Sequence, residues 1–110
     1  MSLTVTTDPA FAADVLVRAT PVLVDFTAEG CASCTMVTPI LEQLAAEQSG
    51  RLSVLAIDVD ENPITADHYD VRATPTLALF VGGREVTRIV GVKPGELIMR
   101  ELEPHLPSAG

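Results

Sequence analysis

The chain has 110 residues, enough for one domain with a hydrophobic core and too few for two. Apolar residues make up 47% and charged residues 20%, with no repeats or low-complexity segments, which excludes a disordered chain. Seven basic against fifteen acidic residues leave a net charge of -8, the wrong sign for neutralising phosphates, so nucleic acid is not an expected partner.

Leu3 to Thr6 reads as a short strand. Asp8-Pro9 follows as an expected N-cap with proline at the first helical position. The helix that should come next carries Phe11, Ala12, Val15, Leu16 and Ala19 on one face, and Thr20-Pro21 ends it. Val22-Leu23-Val24-Asp25-Phe26 is apolar at almost every position, as expected of a strand covered on both sides, with Asp25 interrupting the run. A turn then leads to Cys31-Ala32-Ser33-Cys34, where a helix begins. Met36, Val37, Ile40, Leu41, Leu44 and Ala45 line one side of it, Glu42, Gln43 and Glu47 the other, and Pro39 should kink it.

Gly50 closes that helix and Leu52 to Val59 is the next strand. Asn62-Pro63 repeats the cap-then-proline signal and opens a helix through about Tyr69. Alternation of strands and helices predicts crossover units with a parallel sheet in the first half. In the second half, Thr76 to Val81 and Glu85 to Val90 flank Gly82-Gly83-Arg84 and should form an antiparallel hairpin. Pro94 opens a last helix with Leu97, Ile98 and Leu102, ending or kinking near Pro104. The expectation is an α/β fold, a mixed central sheet with helices on both faces. Residues 1–106 form a single domain and 107–110 a loose tail.

Cys31 and Cys34 are the only cysteines, so a disulfide framework cannot hold the fold together. Their spacing suits a small disulfide ring, a metal site with two further ligands, or a pair of idle thiols. His68 and His105 lack ligand spacing relative to the cysteines, so no metal is expected. Tyr69 and Phe80 read as core residues. No apolar run approaches the ~20 residues of a membrane span, and Met1 to Pro9 lacks the pattern of a secretory signal. A cytoplasmic protein without membrane contact is expected.

Several stretches in the same order resemble the thioredoxin family. Val22-Leu23-Val24-Asp25-Phe26 is similar to its central strand, Cys31-Ala32-Ser33-Cys34 to its redox motif, and Pro39-Ile40-Leu41 to the helix behind it. Asp60-Glu61-Asn62-Pro63, Val71 to Leu77, Gly82-Gly83 and Val90-Gly91-Val92 match later landmarks, covering residues 20–103. The resemblance implies a thioredoxin fold and a cis proline at Pro75, which on sequence alone reads as an ordinary strand-start proline.

It also implies a thiol-disulfide oxidoreductase for protein substrates, with no cofactor beyond the Cys31–Cys34 disulfide, the alternative being a binding or chaperone-like module on the same fold. Cys31, at a helix start that favours a thiolate, is the expected nucleophile, and Cys34, one turn deeper, the resolving thiol. Asp25 is either a proton shuttle, the role the resemblance implies, or an acid satisfied locally. The family commonly places a lysine near this acid where Ala56 stands here, so Asp25 should stay protonated to higher pH. Thr74, Pro75, Gly91 and Val92, with Gly30, Ala32 and Ser33, are the expected substrate contacts. A thioredoxin reductase-type electron donor and a monomeric state complete the expectation.

The departures from the family pattern cluster around Cys31. Thr27 and Gly30 stand where tryptophans are usual, and Ala32-Ser33 replaces glycine-proline, so the rim should be less aromatic and more open. Ser33 restores a backbone N–H near the thiolate and favours the reduced form, whereas Thr35, in place of a common lysine, acts in the opposite direction.

Overall fold

The structure, a computed structural model, describes residues 3–108. Among them five strands, β1 (Thr4–Val5), β2 (Val22–Thr27), β3 (Ser53–Asp58), β4 (Thr76–Val81) and β5 (Arg84–Val90), form one sheet in the order β1-β3-β2-β4-β5. β1, β3 and β2 are mutually parallel, while β4 runs antiparallel to both β2 and β5. The sheet is therefore mixed, parallel in its first half and completed by a hairpin. Of the expected loose tail, Pro107 accepts a hydrogen bond from Arg51 Nε at 3.0 Å through its carbonyl, and Ala109 and Gly110 lie outside the described residues.

β2 is the buried centre of this sheet, with Val22, Leu23, Val24 and Phe26 all 0% exposed. Side chains alternate along a strand, so it feeds two cores. Leu23 joins Leu77 and Leu79 beneath α1 (Ala32–Glu47) and α3 (Gly95–Leu102), which contribute Val37, Leu41, Leu44, Ile98 and Leu102. Val22, Val24 and Phe26 face the other way, against Phe11, Val15, Ala78 and Phe80. There Phe11, Tyr69 and Phe80 meet with ring centroids 5.0 to 5.7 Å apart, in tilted and edge-on contacts. Tyr69 and Phe80 thus pack as core residues.

The N-terminal helix differs from its expectation. Residues Ala12–Leu16 wind as a π-helix, with Val17 N donating to Ala12 O at 3.1 Å. Phe11 and Val15 are buried and Ala12 faces solvent; the helix stops at Leu16, short of the expected end at Thr20-Pro21, which leaves Ala19 exposed in the bend that follows. Asp8 does not cap this helix. Its carboxylate instead accepts from Ile64 N at 3.1 Å and Thr65 N at 2.9 Å, capping α2 (Pro63–His68). Asn62, the expected cap of α2, accepts from Asp8 N at 2.8 Å and ties the two segments together.

α1 continues through Pro39, which removes one intrahelical donor without breaking the helix. The β4–β5 turn needs both its glycines, whose φ angles are 60° and 81°. A Cβ on Gly83 would also lie 2.8 Å from Leu16 O, so this turn packs directly on the N-terminal helix. α3 starts after Pro94, and Glu103–His105 continues it as a turn of 3-10 helix around Pro104.

Candidate active site

β2 ends at Thr27, and the chain turns through Gly30, at φ 74°, into the N-terminus of α1. Cys31 is the N-cap and is half-buried; its sulfur accepts from Cys34 N at 3.1 Å. That N–H is one of the donors a helix start leaves unpaired, and it favours negative charge on Cys31 when the sulfur is a thiolate. Cys34 is 3% exposed and is joined to Cys31 by a disulfide, with the Cα atoms 5.2 Å apart. Neither cysteine is therefore an idle thiol.

Ala32 and Ser33, between the cysteines, are exposed, as is Thr35. Thr35 and Thr38 turn their hydroxyls back onto the carbonyls of Cys31 and Cys34, at 3.3 and 2.9 Å. Met36 is 62% exposed on the same end of α1.

The segment before β4 faces Cys31. The Thr74-Pro75 peptide bond is cis. Thr74 Oγ1 lies 3.5 Å from Cys31 Sγ and can donate to it, and Thr74 O lies 3.6 Å from the same sulfur. In the disulfide the sulfur carries no proton, so the second approach is a contact; a Cys31 thiol could donate there. Gly91, at φ 90°, donates its N–H to Pro75 O at 2.9 Å, which brings Gly91 beside Pro75. Val92 packs against the α1–α3 core. A shallow pocket of about 240 Å³, lined by Val59, Asp60, Arg72, Ala73 and Thr74, opens beside this segment. Val59, Asp60, Arg72 and Ala73 carry no catalytic signal of their own in the sequence, although they lie in or beside stretches that carry the family resemblance.

Asp25 shares the Leu23 face of β2, the side covered by α1. It is 1% exposed and pairs in register with Ala56 on one side and Leu77 on the other. Its Oδ1 has no hydrogen-bond partner among the described residues. Burial without a compensating donor or cation pushes the carboxyl up to about 6. The locally satisfied acid that the sequence left open does not describe this environment.

The histidines stand away from this constellation. His68 is exposed and stacks edge-on against Tyr69 at 4.7 Å, and His105 is exposed in the 3-10 turn after α3. Among the described residues no group of three His, Cys, Asp or Glu side chains could hold a metal ion. No helix among them is long and apolar enough to cross a membrane.

A family model described as Thioredoxin matches residues 2–103. The chain is 48% identical to a thioredoxin of Mycobacterium tuberculosis, over 93% of this chain and 88% of the relative. It is 42% identical to a thioredoxin of Staphylococcus aureus, over 96% of this chain and 100% of the relative. A bifunctional thioredoxin reductase/thioredoxin of Mycobacterium leprae is 47% identical over 93% of this chain, which spans only 22% of that longer protein.

Proposed function

The chain belongs to the thioredoxin family and is a thiol-disulfide oxidoreductase, and from that premise we propose that it reduces protein disulfides through Cys31 as nucleophile and Cys34 as resolving thiol. The observation that carries this reading is the Cys31–Cys34 pair at the start of α1, with Cys34 N aimed at Cys31 Sγ.

In the reduced protein the Cys31 thiolate attacks one sulfur of a substrate disulfide. That S–S bond breaks, the departing sulfur leaves as a thiolate and takes a proton, and a mixed disulfide joins Cys31 to the substrate. Cys34 then gives up its proton, with the Asp25 carboxylate as acceptor, and attacks Cys31 Sγ. The second substrate sulfur leaves as a thiol and the Cys31–Cys34 disulfide forms, so two electrons have passed to the substrate. Thr74, Pro75, Gly91 and Val92, with Gly30, Ala32 and Ser33, form the surface on which an extended substrate segment rests.

A dithiol donor must then reduce Cys31–Cys34. The fusion of a reductase with a thioredoxin in the Mycobacterium leprae relative supports a thioredoxin reductase-type donor for this chain. We take the protein to act as a cytoplasmic monomer, with residues 1–106 as one domain and 107–110 as its tail. With dithiothreitol as the electron source, the protein should accelerate insulin reduction, seen as turbidity from the precipitating B chain. A rate equal to dithiothreitol alone would contradict this reading.

A further inference from the structure

We propose that Arg88 is a positioning residue for protein substrates, because its guanidinium holds the loop that carries Thr74 and Pro75. The inference rests on that segment being the substrate platform. Arg88 lies on β5, and its Nε and Nη2 fork onto the Glu85 carboxylate at 2.6 and 2.9 Å. Nη2 also donates to Tyr69 O at 2.5 Å, and Nη1 reaches Asp70 O at 3.3 Å. Both carbonyls belong to the chain leaving α2, where helix carbonyls lack partners.

Asp70 adopts φ 54°, the left-handed conformation that aspartate tolerates just past a helix end, and its carboxylate accepts from Arg72 Nε at 2.7 Å. Residues Val71 to Thr74 follow without regular structure. At the far end of this loop, Gly91 N donates to Pro75 O at 2.9 Å and Thr76 Oγ1 donates to Ala73 O at 2.6 Å. β5 and the residue after it therefore grip both ends, Arg88 upstream and Gly91 downstream. A lysine could not replace the fork, since one ammonium cannot match a carboxylate in two bonds and also reach two carbonyls.

The test compares Arg88→Met and Arg88→Lys with the unsubstituted protein. In dithiothreitol-driven insulin reduction, Arg88→Met should raise KM by about three- to tenfold with kcat little changed, the scale of one net hydrogen bond, because the loop positions substrate indirectly. Arg88→Lys should recover part of that loss. Reduction of 5,5'-dithiobis(2-nitrobenzoate), which presents no extended chain, should be unchanged. Amide exchange at Asp70 and Val71, whose N–H groups donate to Asp67 O and Ala66 O, should accelerate while β2 keeps its protection. An unchanged insulin KM with unchanged loop exchange, or equal losses on insulin and the small disulfide, would overturn the proposal. If Arg88→Met fails to fold, Arg88→Lys decides by the same readouts. Failure of the unsubstituted protein to reduce insulin would count against the proposed function, while loop exchange would still decide the role of Arg88.

Discussion

Cys31→Ser should reduce insulin no faster than dithiothreitol alone, with the fold retained. The half-buried Cys31 is the sulfur that a substrate can reach, whereas Cys34 is 3% exposed behind it. Serine keeps the shape of the N-cap and can still accept from the Cys34 N–H, so the helix start survives. A hydroxyl supplies no thiolate at neutral pH, and without one the first exchange cannot begin. Thermal unfolding of the variant, compared with the reduced parent, separates loss of chemistry from loss of structure. Insulin reduction above the dithiothreitol rate in Cys31→Ser would move the nucleophile elsewhere.

Asp25→Asn should stabilise the protein above pH 6 by about 3 kcal/mol, the value of moving a carboxyl from its ordinary 3.8 to about 6. The sign follows from proton binding. Between those two values the folded protein retains a proton that the unfolded chain has released, so stability falls as pH rises through the window. Below about pH 4 both states hold the proton and the two proteins should differ little. Above about 6 the parent carries an unpaired buried carboxylate and the gap is fully open. At roughly 4 to 8 °C per kcal/mol for a domain near this size, the difference in melting temperature is roughly 12 to 24 °C. Urea unfolding from about pH 4 to 8 checks the shape, and parallel curves for the two proteins would contradict it. The same substitution should slow release of substrate from the mixed disulfide by removing the proton acceptor for Cys34.

Local signals made much of this fold legible in the sequence. The apolar run of β2, proline at the start of α2 and the paired glycines of the hairpin each depend on neighbouring residues, and each marked its element. Asp8 shows the opposite case: it looks like the cap of the helix beside it, yet its carboxylate caps α2, 56 and 57 residues away. The N-terminal helix likewise winds as a π-helix and stops at Leu16, leaving Ala19 outside the apolar face that its spacing suggested. Cys31 and Cys34 were legible from spacing, but the isolation of Asp25 depends on the strand register that places Ala56 and Leu77 at its sides. Arg88 and Glu85 are neighbours on β5, but the carbonyls that Arg88 holds, of Tyr69 and Asp70, come from the other side of β4 in sequence, so nothing local marked its role.

The division of labour between the two sulfurs is tested most directly by Cys34→Ser, which removes the resolving thiol and leaves Cys31 in place. Incubated with insulin, this variant should accumulate a covalent complex that survives denaturation and is dissolved by dithiothreitol. Peptide mapping should place the mixed disulfide at Cys31. Absence of any covalent complex, with Cys31 still free and the protein folded, would contradict the account.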